Sequence, residues 1–204
     1  MSVVKVSVLF SGGVESTCLL YYLLRKGYLV YPIYVKAGYP WESLELENAL
    51  NLWKYIRRKK KGLMPLKVVR VIAAERVYMV NHSKDLFIPL RNLSLILSAL
   101  SLCVQRGIYQ VAVGSLGIYP FPDNNADYMK RLEGLLSLGT GRDVRILIPF
   151  MGLEKEEVVR VYGKGVPLHM TLSCVKPIRS KSKIIPCGEC EKCKERESVI
   201  GLSP

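Results

Sequence analysis

Apolar and polar positions in this chain fall into two kinds of stretch that alternate along its length. Short, near-continuous apolar runs stand at Val3–Phe10, Leu29–Val35, Leu66–Ile72, Gln110–Val113 and Val144–Ile148. Runs of that kind, not alternating with polar residues, predict strands covered on both faces. Helix-like stretches lie between and after them at Glu15–Lys26, Trp41–Arg58, Leu90–Arg106, Asn125–Leu138 and Glu154–Tyr162. Turn signals punctuate the units at Lys26-Gly27-Tyr28, Arg106-Gly107-Ile108 and Gly139-Thr140-Gly141. Strand and helix in alternation predict an α/β fold, a doubly wound parallel five-stranded sheet with right-handed crossovers.

The end of the first strand carries the first candidate chemistry. Leu9-Phe10 runs into Ser11-Gly12-Gly13-Val14-Glu15-Ser16-Thr17, and a helix follows. A glycine pair lets backbone N–H groups turn inward and approach an anion, since no Cβ stands in the way. The helix start adds unpaired N–H donors and the positive end of its dipole. Ser11, Ser16 and Thr17 add hydroxyls. The Gly-Lys-Ser/Thr of a Walker loop does not follow, nor does the third glycine of a dinucleotide fingerprint. In such sheets ligands sit beyond the carboxyl ends of the strands. That rule gathers the Ser11–Ser16 turn, Lys36-Ala37-Gly38 and the long irregular segment from Gly114 to Asp127 at one place. A segment of that irregularity reads as a functional loop.

A length of 204 residues, half of them hydrophobic, suits one main domain with a small appended element. The excess of 30 Lys+Arg over 17 Asp+Glu gives a net charge of +13, which favours anionic partners. Nucleotide and phosphate come first, with RNA the less favoured reading. The run Arg57-Arg58-Lys59-Lys60-Lys61 ends a predicted helix, where cations complement the dipole in any case. The most apolar long segment, Leu86–Val104, contains Pro89, Arg91 and Asn92, so it reads as a buried helix and not as a membrane span. With no charged-then-apolar leader at the N-terminus, a cytoplasmic location is the expectation.

Cys174, Cys187, Cys190 and Cys193 form C-x12-C-x2-C-x2-C in a short, polar, basic tail. Four thiolates can close a tetrahedral shell around Zn²⁺, and Gly188 gives the tight turn such a knuckle needs. Lys and Arg neighbours favour the thiolate. With Pro177, Pro186 and few apolar residues, the tail needs a staple to hold a shape. An iron–sulfur cluster is the runner-up and a redox or sulfur-carrying Cys-x-x-Cys the third reading; disulfides do not suit a reducing compartment. Cys18 and Cys103 lie in apolar helical runs and are expected in the core. The two histidines, His82 and His169, are given no catalytic role.

The Ser-Gly-Gly-x-acid-Ser turn resembles the PP-loop of the N-type ATP pyrophosphatases, which split ATP between its α and β phosphates. That family's acid is Asp; here it is Glu15. With the cysteines included, nearly the whole chain resembles the 7-cyano-7-deazaguanine synthases, the QueC/ExsB branch of those enzymes. The match is carried by the Ser11–Thr17 turn, Gly38 with Glu45 and Ala49, Ile88-Pro89-Leu90-Arg91-Asn92, Pro122-Asp123, Lys155, Thr171-Leu172-Ser173-Cys174 and Cys187 to Arg196.

The resemblance implies an adenine-nucleotide α-hydrolase-like domain over 1–168 and a zinc-binding element over 169–204. It implies an ATP-dependent ligase that adenylates the carboxylate of 7-carboxy-7-deazaguanine, admits ammonia to form an amide, and dehydrates this to the nitrile with more ATP. Ser11, Ser16, Arg91 and Lys155 would be the catalytic group. Leu9, Phe10, Ser11, Gly12, Gly13, Val14, Glu15, Ser16, Thr17, Gly38, Arg91 and Gly114 would hold ATP, with Mg²⁺ offsetting the pyrophosphate charge. Asn92, Pro122 and Asp123 would meet the deazapurine, Cys174, Cys187, Cys190 and Cys193 the zinc, and a homodimer is implied. The Gly114–Asp123 loop is shorter than the family's, Asn124 replaces the Cys after Pro-Asp, and Ile118 and Tyr119 stand where an acidic residue is usual. The alternatives are therefore a PP-loop relative adenylating another substrate, tRNA modification or thiolation included, and a non-catalytic nucleotide- or RNA-binding zinc module.

Overall fold

The computed structural model describes residues 3–71, 87–181 and 183–201. Five parallel strands form one sheet: β1 (Lys5–Leu9), β2 (Leu29–Lys36), β3 (Lys67–Arg70), β4 (Gln110–Ala112) and β5 (Arg145–Leu147), in the order β3-β2-β1-β4-β5. The chain winds outward from β1 to β3 and then crosses back to lay β4 on the other side of β1. The crevice between β1 and β4 is thus the point where the winding direction reverses, the usual place for a ligand in this architecture. Strand order lay beyond the reading of the sequence, because hydrophobic pattern reports burial and not which strand is the neighbour.

All five expected strands and all five expected helices are present, with ends shifted by a few residues. The helices are α1 (Val14–Arg25), α2 (Glu42–Lys59), α3 (Arg91–Val104), α4 (Ala126–Thr140) and α5 (Lys155–Tyr162). In β1, Val6, Ser7 and Val8 are all buried, as a central strand covered on both faces requires. The one polar residue among them is satisfied: Ser7 Oγ donates to the Gln110 carbonyl at 2.9 Å. β3 departs from the expected burial, since it is an edge strand and Lys67, Val68 and Arg70 are exposed. The expected end of that strand at Ile72, the start of the Leu86–Val104 segment and His82 lie outside the described residues.

α1 is the most deeply embedded helix. Its Val14, Cys18, Leu19, Leu20 and Leu23 join Val6, Val8 and Phe10 of the first strand, and Ala49, Leu52 and Ile56 of α2, in one core. Each of the larger side chains contributes about 1.5–3 kcal/mol on burial. Cys18 and Cys103 are buried, as expected. α4 begins where Asn125 Oδ1 accepts from the Tyr128 N–H at 2.9 Å and ends at Gly141 in the left-handed region. Among the described residues no helix is long and apolar enough to cross a membrane.

The tail is more regular than its composition foretells. It contains an antiparallel pair, β6 (Ile178–Ser180) with β7 (Lys183–Ile185), and a helix, α6 (Glu191–Ile200). It is anchored on the sheet domain at several points. The Leu172 N–H donates to the Gly12 carbonyl at 3.0 Å. Asn48 Nδ2 reaches the Met170 carbonyl at 3.1 Å. The buried Arg196 guanidinium donates to Thr171 Oγ1 at 3.2 Å and to the Leu168 carbonyl at 3.3 Å. Val199 of α6 enters the main core. These tertiary contacts, absent from any local pattern, give the polar segment its shape.

Two glycines fix how closely the elements around the crevice approach. Gly12 has φ +80, and a Cβ there would lie 3.1 Å from the Ala49 Cα of α2. At Gly114, just after β4, a Cβ would lie 3.1 Å from both the Glu15 carbonyl carbon and the Ser16 nitrogen. Gly114→Ala therefore pushes the loop after β4 against the backbone of α1. A loss of about 1–3 kcal/mol is expected from such overpacking. Gly134→Ala is the control, since a Cβ there meets nothing within 4 Å. Equal thermal midpoints for the two variants would show that the close approach costs nothing.

Candidate active site

A cavity of about 360 Å³ opens at the carboxyl ends of the strands. Of the expected site residues, Leu9, Phe10, Ser11, Gly13, Glu15, Ser16, Arg91, Asn92, Gly114 and Lys155 lie on its wall. Gly12, Val14, Thr17, Gly38, Pro122 and Asp123 do not, and several of these have structural work behind it. Thr17 Oγ1 donates to the Gly13 carbonyl at 2.7 Å. The Gly38 N–H donates to Glu42 Oε1 at 3.2 Å. The buried Asp123 accepts the Asn92 N–H on Oδ2 at 3.1 Å, while Asn92 Nδ2 donates to the Asp123 carbonyl at 2.9 Å. The carboxylate expected at substrate is thus a cap on the start of α3, satisfying a helix N–H across 31 residues of chain.

The glycine turn meets the description of an anion site. Gly13 is the N-cap of α1, in extended conformation, and makes no side-chain cap bond. The first-turn N–H groups, which have no intrahelical acceptors, remain available to a ligand, with the positive end of the dipole behind them. Ser11 Oγ and Ser16 Oγ lie 3.3 Å apart, and Ser16 also donates to the Gly13 carbonyl at 3.2 Å.

Beside this turn is a buried charge. Lys155, the first residue of α5, is 8% exposed, not solvated as a surface lysine would be. Its Nζ lies 2.9 Å from Glu15 Oε1 and 2.8 Å from Glu195 Oε2. Burial works against the ammonium, but the two carboxylates outweigh it and its pKa is raised. It is a cation throughout the physiological range. Glu195 belongs to α6 and is bonded further by the Tyr119 hydroxyl and by Lys192 Nζ at 3.1 Å. Glu195 and Lys192 were not foreseen as site residues. Their signal was weak, since charged residues between tail cysteines read most simply as solvated.

The opposite wall is aromatic and acidic. The rings of Tyr39 and Trp41 stack with centroids 5.0 Å apart, and Arg91 Nε donates to the Tyr39 hydroxyl at 2.9 Å. Glu45, on α2, faces the cavity and accepts from the Tyr34 hydroxyl at 2.8 Å. Burial pushes the Glu45 carboxyl up to about 7, against the pull of the Tyr34 bond and the Arg91 charge. Tyr34 lies near the end of β2, and Tyr39 and Trp41 follow it in sequence, so the rule that ligands sit at strand ends could have found them.

The four tail cysteines converge. Their sulfur atoms all lie within 4.8 Å of one another, and Cys174, Cys187 and Cys193 with Leu172 form a small cluster of their own. The N–H groups of Lys176 and Cys187 each donate to Cys174 Sγ at 3.3 Å, which offsets part of the burial that pushes this thiol up. Four thiols so placed can bind a metal ion. Cys18 is different: burial pushes its thiol up to about 12, which leaves it inert as a nucleophile.

A five-stranded parallel sheet, a glycine turn after its first strand and a cavity at the strand ends define the doubly wound class of α/β folds. Within that class the chain belongs to the QueC family: the model of the queuosine biosynthesis protein QueC matches residues 5–201. The 7-cyano-7-deazaguanine synthase 1 of Desulfitobacterium hafniense is 30% identical, over 97% of this chain and 92% of that protein. The 7-cyano-7-deazaguanine synthase of Pyrococcus horikoshii is 28% identical, over 93% of this chain and 89% of its own length. Among solved structures, the U34-tRNA thiolase NcsA of Methanococcus maripaludis, with its [4Fe-4S] cluster, matches with a TM-score of 0.48. Its identity is 14%, over 96% of this chain and 63% of that one.

The raised Glu45 pKa makes stability depend on pH. Between its ordinary 4.5 and about 7 the folded chain keeps a proton that the unfolded chain releases. Glu45 therefore contributes stability below pH 4.5 relative to pH 8, and this is lost as pH rises through about 7. Glu45→Gln should remove this part of the slope and raise the thermal midpoint at pH 8 relative to pH 5. Parallel midpoint–pH curves for the variant and the parent protein would contradict the assignment.

Proposed function

We propose that this protein is an ATP-dependent ligase that converts 7-carboxy-7-deazaguanine and ammonia to 7-cyano-7-deazaguanine. One observation carries the reading: in a QueC-family chain, Ser11, Gly13, Glu15 and Ser16 of the uncapped turn, Lys155 and Arg91 all border one cavity. Hydroxide is a poor leaving group from a carboxylate and AMP a good one. The substrate carboxylate attacks the α-phosphorus of ATP, the bond to the bridging oxygen breaks, and pyrophosphate departs. Ammonia then attacks the acyl carbon and AMP leaves, giving the amide. The amide oxygen then attacks the α-phosphorus of a second ATP, pyrophosphate and one N–H proton leave, and loss of AMP with the remaining N–H proton yields the nitrile.

The chain's own groups serve the charge that moves. The first-turn amides of α1, with Ser11 and Ser16, would receive the pyrophosphate. Lys155 and Arg91 would be the cations flanking the transferred group, and Gly114 admits the nucleotide close to the backbone. Mg²⁺, when bound, supplies further positive charge for the phosphates. Asn92 is the substrate contact we retain; Pro122 and Asp123 act behind it by holding the start of α3.

We assign Zn²⁺ to Cys174, Cys187, Cys190 and Cys193, and treat residues 169–204 as a metal-stapled element on the domain formed by 1–168. Neighbouring sulfurs lie 3.6, 3.8, 4.0 and 3.4 Å apart. A tetrahedron with Zn–S bonds of about 2.3 Å has edges of about 3.8 Å, which supports a single ion at its centre. A four-iron cluster needs its cysteines spread around a cube of metal and sulfide, wider than this.

Two measurements test these assignments. Purified protein with ATP, 7-carboxy-7-deazaguanine and ammonium should release AMP and pyrophosphate, and joint Ser11→Ala and Ser16→Ala substitution should lower kcat by about 10²-fold or more. Release of ADP, or turnover only when tRNA is present, would overturn the ligase reading. Elemental analysis should find about one zinc per chain, as a single closed four-cysteine site holds. Iron with visible absorbance would overturn that assignment alone.

A further inference from the structure

Lys192 sits between the third and fourth tail cysteines, and the ligase reading leaves it without a task. It lies on the cavity wall together with Tyr119, which comes from the loop after β4. Its Nζ donates to the Tyr119 hydroxyl at 2.8 Å, and to Glu195 Oε2 and Oε1 at 3.1 and 3.3 Å. The same ammonium lies 4.4 Å from the centre of the Tyr119 ring. An ammonium has three N–H bonds. One is taken by the phenol and one is shared across the carboxylate, so one is left for a ligand. The side chain is 28% exposed, against 9% for Lys155, so it can be reached from the cavity.

Four charges meet on this wall. Glu15, Lys155, Glu195 and Lys192 form a row of alternating sign, each in contact with the next. Lys155 is flanked by carboxylates on both sides, Glu15 and Glu195. Lys192 ends the row and has a carboxylate on one side only. It stands one ion pair further from the Ser11–Thr17 turn than Lys155. A carboxylate that attacks an α-phosphorus lies beside the phosphates, and Lys192 shares its cavity with Ser11, Gly13 and Ser16 of the glycine turn.

We propose that Lys192 binds the carboxylate of the acceptor substrate, and that Glu195 and Tyr119 position it. The assignment rests on the ligase reading and sharpens it. The cysteine knuckle delivers a substrate-contacting residue into the cavity, so the metal element is part of the acceptor site as well as a staple. Discrimination follows from charge: the acid is held by this contact, whereas the neutral amide formed midway is not.

That difference supplies the test. Wild-type protein is assayed for AMP release with 7-carboxy-7-deazaguanine plus ammonium, and separately with 7-amido-7-deazaguanine, each at varied ATP. Lys192→Met should raise KM for the acid by about 10- to 100-fold, the loss expected for one charged hydrogen bond. KM for the amide and for ATP should stay within about twofold, which also shows that the variant is folded. Lys192→Arg, which keeps the charge, should recover most of the acid affinity. Equal losses with acid and amide, or a rise in KM for ATP, would mean a phosphate contact or a structural role and overturn the proposal. Unchanged kinetics with both substrates would overturn it too. Wild-type protein that turned over neither compound would instead remove the ligase reading itself, before any variant was measured.

Discussion

A lysine ammonium cannot be taken out of water beside a glycine turn unless carboxylates come with it. The desolvation penalty for such an ion is several kcal/mol, and only close, well-oriented partners return it. Lys155 is met by Glu15, at the start of α1, and by Glu195, near the other end of the chain. One buried cation thereby requires three remote segments to be in register at once: the turn after the first strand, the start of α5 and the helix of the cysteine tail. Removing either carboxylate leaves a partly unpaired charge, a costlier state than never having buried the pair.

The same demand explains why a tail of little apolar content is shaped at all. Its helix is fastened by Val199 in the core, by the Arg196 guanidinium on the Thr171 hydroxyl and the Leu168 carbonyl, and by Glu195 on Lys155. Four converging sulfurs fasten its start. The Leu172–Gly12 backbone bond then joins the segment leading into the first cysteine directly to the glycine turn. The cysteine element and the glycine turn are therefore mechanically continuous, and a change in one alters the wall of the other.

The residues that depart from the family's pattern interlock. The longer side chain of Glu15 reaches Lys155 at 2.9 Å. Tyr119, in the shortened loop, is held by Glu195 and Lys192 of the tail. Asn124, in place of the usual cysteine, braces that loop internally through Ser115 and the Tyr119 carbonyl. Where loop and tail meet they form one hydrogen-bonded wall.

Much of this was readable from the residues in order. Strand and helix positions follow from runs of Val, Ile and Leu, because burial on both faces of a parallel sheet leaves an unbroken apolar stretch. The glycine turn followed from Gly12-Gly13 flanked by hydroxyls, and the convergence of four sulfurs from cysteine spacing, since both patterns are local and impose a fixed geometry on neighbouring residues. Lys155 came only from resemblance, because Leu153-Glu154-Lys155-Glu156 has the composition of a solvated helix start. Glu195, Lys192, Tyr119 and the capping role of Asp123 were decided by tertiary structure alone. Each acts through a partner between 31 and 76 residues away. A one-dimensional pattern records what each residue is and how often its kind recurs. Which charges must share a buried space is settled only when the sheet order brings their elements together.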